Sequence, residues 1–434
     1  MSTTGQSWGR YPATEQIVVP ISDRHASLPA TDALMLPYGN GRSYGDSCLN
    51  HGGALLRARG LDRYIQFDPV TGLLKCEAGV LFSEILDLVV PQGWFLPVTP
   101  GTKFVTVGGA IANDVHGKNH HRAGTFGCHV LAFELLRSNG ERLLCTPTEN
   151  AEWFAATIGG LGLTGLITWA TIQMRRLAGP WMSTEVHRFE NLEGFFEISE
   201  ASDQDYEYTV AWVDCAAKGP SLGRGLFTRA NHAPACPDQR PSAPVRRLGV
   251  PFVPPLSLIN PLTLRIFNEL YYHRQRRPVI HATMHYEPHF YPLDGVRDWN
   301  RIYGPAGFMQ YQCVVPPSEA RQAIEQLVRL IAGAGGGSFL AVLKQFGEQR
   351  SPGMLSFPRS GATFALDFPN KGGSTLRLMD QLDSVVAAAG GAVYPAKDAR
   401  MPGTLFRQYF PAWESFTQYI DPRFSSSFWR RVME

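Results

Sequence analysis

Short β-type runs separated by glycine turns fill the first 178 residues, and this texture constrains the fold more than any other feature of the chain. The runs read LMLP, ALLRA, YIQFD and LLKCEAG, followed by the longer run FLPVTPGTKFVTVGGAIAND. Apolar runs bounded by glycine, proline or aspartate are typical of strands. Helices are predicted at 81–90, where apolar residues recur at helical spacing, and at 149–158. Strands mixed with helices in this order predict an α+β domain rather than a regular doubly wound sheet.

A second unit is predicted beyond residue 178. Residues 206–230 alternate like strands of another sheet, and the C-terminal third repeats a strand–helix–strand pattern twice. In each copy a proline ends the first strand, and a serine, Ser318 or Ser374, is expected to cap the helix. The repeat predicts one sheet backed by two helices, and its other face is free to cover a ligand. Alternation along a strand places Gln310 with Gln312, and Thr363 with Ala365, on common faces.

A proline-rich stretch at 233–265 interrupts this second unit. It mixes prolines with Arg240, Arg246 and Arg247 and with large apolar residues. Two interpretations stay open. One is a mobile loop that packs in the ordinary way, and the other is a flap that closes over a lipid-like substrate or rests on a membrane surface.

Net charge and cysteine content exclude several classes of protein. The chain has 40 basic and 38 acidic residues, so nucleic acid is not expected as a partner. Its seven cysteines form no CxxC pair, which is typical of a reducing compartment rather than a disulfide framework. The N-terminus carries no recognisable signal peptide, and glycines or prolines break the uncharged stretches 153–174 and 248–264, so neither is expected to span a membrane. We expect a cytoplasmic protein whose membrane contact, if it has one, is peripheral at the inner face.

The segment PYGNGRSYGD at 37–46 follows an apolar strand and carries Gly39, Gly41 and Gly45. A chain this rich in glycine can turn its backbone N–H groups inward and form a nest suited to a pyrophosphate. The segment matches neither GxGxxG nor a P-loop. A plain β-turn is therefore the alternative.

A second segment, at 100–121, reads PGTKFVTVGGAIANDVHGKNHH. Its small residues from 106 to 112 would let the backbone press against a flat ligand, and His116 and Lys118 follow directly. His116 and His120 have the i,i+4 spacing of a helical metal pair. No metal is expected, because Gly117 and the residues before it do not favour a stable helix and no further ligand set is evident.

Three motifs, GNGRSYGD, PGTKFVTVGGAIANDVHGKNHHRAGTFG and GLGLTGLITWATI, occur in this order along the chain. Together they resemble the flavin-binding motifs of the vanillyl-alcohol oxidase/p-cresol methylhydroxylase superfamily. The resemblance implies a two-domain FAD-binding fold of α+β class, with an FAD-binding domain at 1–178 and a substrate-binding domain at 179–391 built on an antiparallel sheet backed by helices. Residues 392–434 would return to the FAD-binding domain. It also implies non-covalent FAD, because the loop around Arg42 and Ser43 contains no histidine.

The resemblance further implies which residues touch the ligands. Those expected to contact FAD are Tyr38, Gly39, Asn40, Gly41, Arg42, Ser43, Tyr44, Gly45, Asp46, Gly101, Thr106, Val107, Gly108, Gly109, Asn113, Asp114, Val115, His116, Ile167 and Tyr394. Those expected to hold the substrate are Trp212, Tyr291, Gln310, Gln312, Lys344, Thr363 and Ala365. Catalytic roles are implied for Lys397, His116 and Lys118.

Oxidation of a secondary alcohol would give these residues a physical role. A hydride leaves the carbinol carbon for the flavin while the hydroxyl loses its proton, so the site needs a base or a stabilising cation. Lys397 can act as the base if burial beside other cations lowers its pKa, and Lys118, Lys344 and His116 are the expected neighbours. The alternative for Lys397 is a surface salt bridge with Asp398.

Within the superfamily the chain resembles enzymes of cell wall biosynthesis that oxidise the 2'-hydroxyl of a polyprenylphosphoryl-β-D-ribose to the 2'-keto sugar, the first half of epimerisation to the arabinose form. This implies a nicotinamide-dependent reductase partner and peripheral membrane contact. Thr363 and Ala365 depart from the asparagine and cysteine of those enzymes, which bears on pocket shape. The alternatives are an FAD-dependent alditol or aldonolactone oxidase that uses oxygen, and a flavin-fold protein that binds a sugar or lipid carrier without turnover.

Overall fold

The computed structural model describes residues 5–234 and 248–434, and its strands before residue 178 form three sheets. These strands are β1 Ile17–Pro20, β2 Met35–Tyr38, β3 Ala54–Arg57, β4 Tyr64–Asp68, β5 Leu73–Glu77, β6 Trp94–Phe95, β7 Val130–Leu136, β8 Arg142–Cys145, β9 Leu166–Gln173 and β10 Arg175–Arg176. A parallel sheet has the order β1-β3-β2, an antiparallel sheet has the order β4-β5-β9-β7-β8, and β6 pairs with β10. The four short runs predicted from the sequence each overlap one of β2 to β5.

Most strands after residue 178 join one large sheet. They are β11 Trp181–Phe189, β12 Tyr208–Val213, β13 Gly225–Ala233, β14 Leu248–Gly249, β15 Val279–His285, β16 Val296–Arg297, β17 Phe308–Val315, β18 Val342–Phe346, β19 Gly361–Pro369 and β20 Ala392–Val393. Eight of them form an antiparallel sheet in the order β15-β11-β13-β12-β18-β19-β17-β20, while β14 and β16 pair separately. The antiparallel sheet predicted from the alternation and the repeat is therefore confirmed.

Two long helices cover one face of this sheet. The α-helices of the described residues are α1 Phe82–Val89, α2 Val107–Ala112, α3 His120–Ala123, α4 Ala151–Thr157, α5 Leu192–Ser202, α6 Pro261–His273, α7 Tyr286–Phe290, α8 Ala320–Ala334, α9 Gly373–Ala388, α10 Gly403–Tyr409, α11 Trp413–Thr417 and α12 Ser427–Met433. α8 and α9 pack against each other and against β19 and β17. They bury an apolar stripe that includes Ile324, Leu327 and Leu382, which confirms the predicted helical backing.

Two details of the helix predictions are wrong. Ser318 and Ser374 do not cap α8 and α9, because Glu319 and Gly372 occupy those positions and neither makes a side-chain capping bond. The Ser374 hydroxyl donates instead to the carbonyl oxygen of Lys371 at 3.2 Å. The local turns, rather than serine caps, therefore begin these helices.

The segment VGGAIA, predicted as part of a β-type run, is the short helix α2. The side chain of Thr106 accepts a hydrogen bond from the backbone N–H of Gly109 at 3.2 Å, which is the geometry of an N-cap. The threonine cap and the burial of Val107, Ala110 and Ile111 therefore outweigh the β propensity of the run and the helix-disfavouring glycines. α2 starts directly at the predicted cofactor segment.

The proline-rich stretch is only partly described, since residues 235–247, including Arg240, Arg246 and Arg247, lie outside the described residues. Its last part is helical rather than a loop. Asn260 caps α6 by accepting hydrogen bonds from the backbone N–H groups of Leu262 and Thr263 at 3.0 and 3.1 Å, and Pro261 fills the first helical position. In the part of the chain that the structure describes, no helix is both long and apolar enough to cross a membrane.

The chain returns to its first unit after β20. The Asp46 carboxylate accepts hydrogen bonds from the Arg431 guanidinium at 2.8 and 2.9 Å, and the backbone N–H of Tyr44 donates to the carbonyl oxygen of Ala396 at 2.9 Å. Residues after β20 therefore contact the first unit, while their assignment to an FAD-binding domain stays a prediction. The domain boundaries at 178 and 391 stay predictions, and β20 extends the large sheet to residue 393.

Candidate active site

A cavity of about 580 Å³ lies where four parts of the chain meet. They are the glycine loop, defined as residues 37–46, the segment from 99 to 118, the large sheet, and the return segment, defined as residues 392–434. Cavities of this size are typical of sites that enclose a small-molecule ligand. Trp212 of β12, Gln310 of β17, Lys344 of β18 and Ala365 of β19 line it from the sheet face opposite α8 and α9. The sheet face that the repeat left free therefore forms one wall of this cavity.

The glycine loop is held in one conformation by close contacts. Gly41 has a φ of +62°, and an added Cβ would lie 2.2 Å from the hydroxyl oxygen of Tyr38. An added Cβ at Gly39 would lie 2.3 Å from the Oγ1 atom of Thr106. Only glycine satisfies both positions, so the loop can lie directly against the start of α2.

Arg42 places a positive charge at the cavity that can bind an anionic ligand. Its guanidinium lies 4.0 Å from the centre of the Trp8 ring, and burial lowers the pKa of the arginine. Its Nε atom is buried without a hydrogen-bond partner among the described residues. A planar guanidinium with an unused donor in a glycine-rich loop fits a pyrophosphate, so these residues fit FAD.

The return segment completes the wall beside α2. Asn113 ends that helix, and its carbonyl oxygen accepts a hydrogen bond from the Tyr394 hydroxyl at 2.6 Å. The Tyr394 ring stacks on Phe357 with ring centroids 4.5 Å apart. Residues nearly 300 positions apart in the sequence therefore form one continuous wall of the cavity.

Three lysines border the same cavity. Lys118 donates a hydrogen bond to the carbonyl oxygen of His289, the Lys344 Nζ lies 3.4 Å from that of Gly117, and the Lys397 Nζ lies 3.8 Å from the centre of the Tyr44 ring. Burial lowers the pKa of Lys118 and of Lys397 to about 7, and that of Lys344 to about 8. The charge of Lys344 adds to the lowering at the other two lysines. All three can therefore exchange protons near neutral pH.

Asp367 is a site residue that the sequence analysis missed. Its buried carboxylate accepts hydrogen bonds from Gln310 Nε2 at 2.6 Å and from the Tyr303 hydroxyl at 3.2 Å. Burial raises its pKa to about 6, although Gln310 and Lys397 oppose the rise. Alternation along β19 could have found it, because Asp367 follows Thr363 and Ala365 on the same face.

His116 is neutral and presents one unused ring nitrogen. Its Nε2 lies 2.9 Å from the Nε2 of Gln312, which also donates to the Thr363 hydroxyl at 3.2 Å. Because an amide nitrogen can only donate, this network places the ring proton on Nδ1 of His116. Burial and Lys344 hold the pKa of His116 well below its ordinary value. Nδ1 is buried with no partner among the described residues, so a bound ligand can accept its proton in a hydrogen bond.

Most residues predicted for the site line the cavity. They are Tyr38, Gly39, Asn40, Gly41, Arg42, Ser43, Tyr44, Gly101, Thr106, Gly108, Gly109, Asn113, Val115, His116, Lys118, Ile167, Trp212, Gln310, Gln312, Lys344, Ala365, Tyr394 and Lys397. The surface salt bridge considered for Lys397 is not the arrangement found. The Asp398 carboxylate instead accepts hydrogen bonds from Arg431 at 2.9 Å and from the backbone N–H of Met401 at 2.8 Å.

Six predicted contact residues lie behind the cavity wall rather than in it. They are Gly45, Asp46, Val107, Asp114, Tyr291 and Thr363. Asp46 is held by Arg431, and Gly45 packs against the backbone of Asp398. Asp114 accepts hydrogen bonds from two serine hydroxyls and from the backbone N–H of Gly127, Tyr291 bonds Thr99 at 2.8 Å, Thr363 bonds Gln312, and Val107 belongs to the core. These residues support the wall, because their polar groups are already engaged inside the protein.

The histidine pair is not arranged as a metal site. His116 lies outside α2, and the ring of His120 packs against Phe346 with centroids 4.2 Å apart. Among the residues that the structure describes, no group of three or more histidine, cysteine, aspartate or glutamate side chains could hold a metal ion.

Comparison with known proteins agrees with this geometry. Residues 27–146 match the family model of an FAD binding domain. The chain is 37% identical to the decaprenylphosphoryl-beta-D-ribose oxidase of Mycolicibacterium smegmatis over 98% of its length and 96% of that protein. It is 36% identical to an uncharacterised protein of Streptomyces coelicolor over 81% of its length and all of that protein. It is also 26% identical to cytokinin dehydrogenase 8 of Oryza sativa over 43% of its length and 38% of that protein.

These matches confirm the predicted FAD-binding fold of the vanillyl-alcohol oxidase type and FAD as the cofactor. They also confirm that the protein is an FAD-dependent oxidoreductase. The near-complete coverage at 37% identity extends through both the cofactor motifs and the large sheet. The chain therefore belongs to the family of the decaprenylphosphoryl-beta-D-ribose oxidases.

Proposed function

We propose that this flavoprotein oxidises the 2'-hydroxyl of a polyprenylphosphoryl-β-D-ribose to the 2'-ketone. The observation that carries the proposal is the basic character of the cavity. Of the described residues that line it, the basic side chains are Arg42, Lys118, Arg274, Lys344 and Lys397, and the acidic ones are Asp294 and Asp367. The Mycolicibacterium smegmatis relative is named for oxidation of such a substrate, which supports the same activity here.

Lys397 is the residue that we assign to the hydroxyl proton. When bound, FAD supplies the acceptor for the hydride that leaves the carbinol carbon. Because the pKa of Lys397 lies at about 7, a large fraction of the amine is neutral near pH 7 and can accept a proton. Its position over the Tyr44 ring keeps it beside the glycine loop.

We assign Lys118 and Lys344 to the stabilisation of negative charge on the substrate. An alkoxide that develops as the hydroxyl ionises is stabilised by a nearby ammonium group in a site that excludes water. A phosphodiester bound in the same cavity would also lower the cost of keeping these lysines protonated, since opposite charges favour the charged form. Two buried cations at the cavity wall can therefore both stabilise the alkoxide and bind the phosphodiester, and neither role requires a further residue.

Asp367 and the two glutamines are assigned to orientation. The Asp367 carboxylate holds the Gln310 amide at 2.6 Å, and His116 and Thr363 hold that of Gln312. Side chains fixed in this way can select the hydroxyl pattern of a sugar, because a ligand that lacks one hydroxyl would leave a buried amide unpaired. Ala365 lies opposite Gln312 in the sheet and leaves room beside it.

An anaerobic titration followed by flavin absorbance tests the proposal. A short-chain polyprenylphosphoryl ribose should bleach the flavin, whereas free alditols and aldonolactones should not. Bleaching by the free sugars alone would move the chain to the alditol or aldonolactone oxidases. Binding of the lipid-linked sugar without bleaching would mean that the protein binds this ligand without turnover.

We further propose that a nicotinamide-dependent reductase consumes the ketone and that the chain acts in a reducing compartment, at the inner face of a membrane. The six described cysteines are free thiols, which supports that compartment. The purified chain with its substrate should stop at the ketone even when NADH is present. Formation of the arabinose product by the chain alone would refute the need for a partner.

A further inference from the structure

Helix α6 turns an apolar stripe outward. Leu262, Ile266 and Leu270 recur every four residues and are 67%, 52% and 69% exposed. The opposite stripe, which includes Leu264 and Tyr272, is buried against the protein. A surface helix normally places polar residues on its outer face, so this second apolar stripe requires another explanation than the fold.

The segment that leads into α6 adds to the same apolar character. Leu248, Phe252, Leu256 and Leu258 are each more than half exposed. The Thr263 hydroxyl donates to the carbonyl oxygen of Leu258 at 2.9 Å, which fixes this segment against the first turn of the helix. Exposed apolar residues on two adjoining elements form a larger surface than single scattered side chains would.

Basic residues accompany the stripe. Arg265 lies within α6, and Arg274, Arg276 and Arg277 follow it directly and are exposed. The acidic Glu269 is paired with Arg224 and, at 2.9 Å, with His273. An amphipathic helix that combines exposed leucines with arginines is complementary to a bilayer surface with anionic headgroups.

The stripe adjoins the cavity. Tyr271 and Arg274, at the end of α6, line the cavity. Tyr271 packs against Trp212 of the large sheet with ring centroids 4.6 Å apart, and against Phe267 of α6 at 5.5 Å. Aromatic rings therefore connect the outer surface of α6 with the wall where the substrate is proposed to bind.

We propose that this docking face, defined as Leu262, Ile266, Leu270, Arg276 and Arg277, lies on an anionic lipid bilayer and that the cavity receives its substrate from that bilayer. The second clause rests on the proposed function, whereas the first does not. A lipid-linked sugar can then keep its tail in the membrane while its sugar and phosphate enter the cavity past Tyr271.

Flotation of the FAD-loaded full-length protein with vesicles tests the docking face without any substrate. The chain should float with vesicles of phosphatidylcholine and phosphatidylglycerol, and much less with phosphatidylcholine alone. The double variant Leu262→Ser/Leu270→Ser should lower vesicle partitioning about tenfold or more. Ile17→Ser/Val70→Ser is the matched control, since those residues are 61% and 75% exposed on other parts of the surface.

Arginine variants test the charge. The substitutions Arg276→Ser and Arg277→Ser should each weaken partitioning into the anionic vesicles about fivefold. The leucine variant should still oxidise a short-chain soluble substrate at the rate of the unchanged protein, but should oxidise vesicle-embedded substrate more slowly. These activity assays separate loss of docking from failure of the proposed function, which would abolish both activities in the unchanged protein.

Three results would overturn the inference. The unchanged protein could fail to float with either vesicle, or the control could lose as much partitioning as the leucine variant. Alternatively, sedimentation could show that the unchanged protein is a dimer and the leucine variant a monomer. The last result would assign the stripe to a second copy of the chain.

Discussion

Replacing Lys397 with methionine should stabilise the folded protein at neutral pH. The pKa of the folded amine lies at about 7, against an ordinary value of 10.5, so between these values the unfolded chain binds more protons than the folded chain. Stability therefore rises with pH in that window, and the burial of Lys397 costs most below pH 7. The cost is at most about 4 kcal/mol at pH 7 and about 2 kcal/mol at pH 9. It is an upper bound because Lys397 is not fully buried, so that solvent screens part of its charge.

Urea unfolding with FAD in excess measures this effect. The advantage of Lys397→Met over the unchanged protein should shrink by about 1 kcal/mol per pH unit between pH 7 and pH 9. Lys397→Arg keeps the charge and should show no such gain, and Lys371→Met, at an exposed lysine, should leave the pH dependence unchanged. If the methionine variant and the unchanged protein had the same pH dependence, Lys397 would titrate as an ordinary lysine and could not be the base at neutral pH.

The remaining predictions concern turnover and cofactor binding. Lys397→Met should lower kcat by about 10² to 10⁴ while the bound flavin spectrum persists, and kcat/KM of the unchanged enzyme should rise with pH through about 7. Asp367→Asn should move that rise to lower pH, because the Asp367 carboxylate raises the pKa of Lys397. Asp367→Glu keeps the carboxylate and should leave the rise in place. An unmoved pH profile in the asparagine variant would contradict this coupling. Gly41→Ala should weaken FAD retention in dialysis about tenfold or more, because its Cβ would clash with Tyr38. Gly52→Ala, at a similar φ of +70° with no atom within 4 Å of its Cβ, should retain FAD, and equal loss in both variants would assign the effect to backbone strain.

Most residues that the local motifs assigned to the cofactor line the cavity. The glycine loop and the segment from 99 to 118 are each a single continuous stretch of sequence. Their small residues therefore indicate, without any distant contact, that the backbone can approach a ligand closely. The large sheet was predictable for a similar reason, because alternation fixes which side chains share a face. Gln310 and Gln312 lie near each other as that alternation requires, and Asp367 could have been found by extending it two residues.

Other features depend on contacts that no local pattern contains. The resemblance implied that Asp114 and Tyr291 contact the ligands. Their polar groups instead bond residues distant in the sequence and do not reach the cavity. The outward stripe of α6 was hidden because Pro254 and Pro255 made the whole stretch resemble a loop, although Pro261 suits the first turn of a helix. Lowered lysine pKa values likewise arise only when the sheet, the loop and the return segment enclose the same space.

The return segment has a consequence for the order in which the protein is made. The Tyr44 backbone is held by Ala396, the wall beside Asn113 by Tyr394, and Asp46 by Arg431. A ribosome must therefore translate residues 394–431 before the glycine loop can make these contacts, and we expect flavin to bind only after that point. A fragment that stops at residue 391 should accordingly emerge colourless, and its cofactor segments should be open to proteolysis until the last helices arrive.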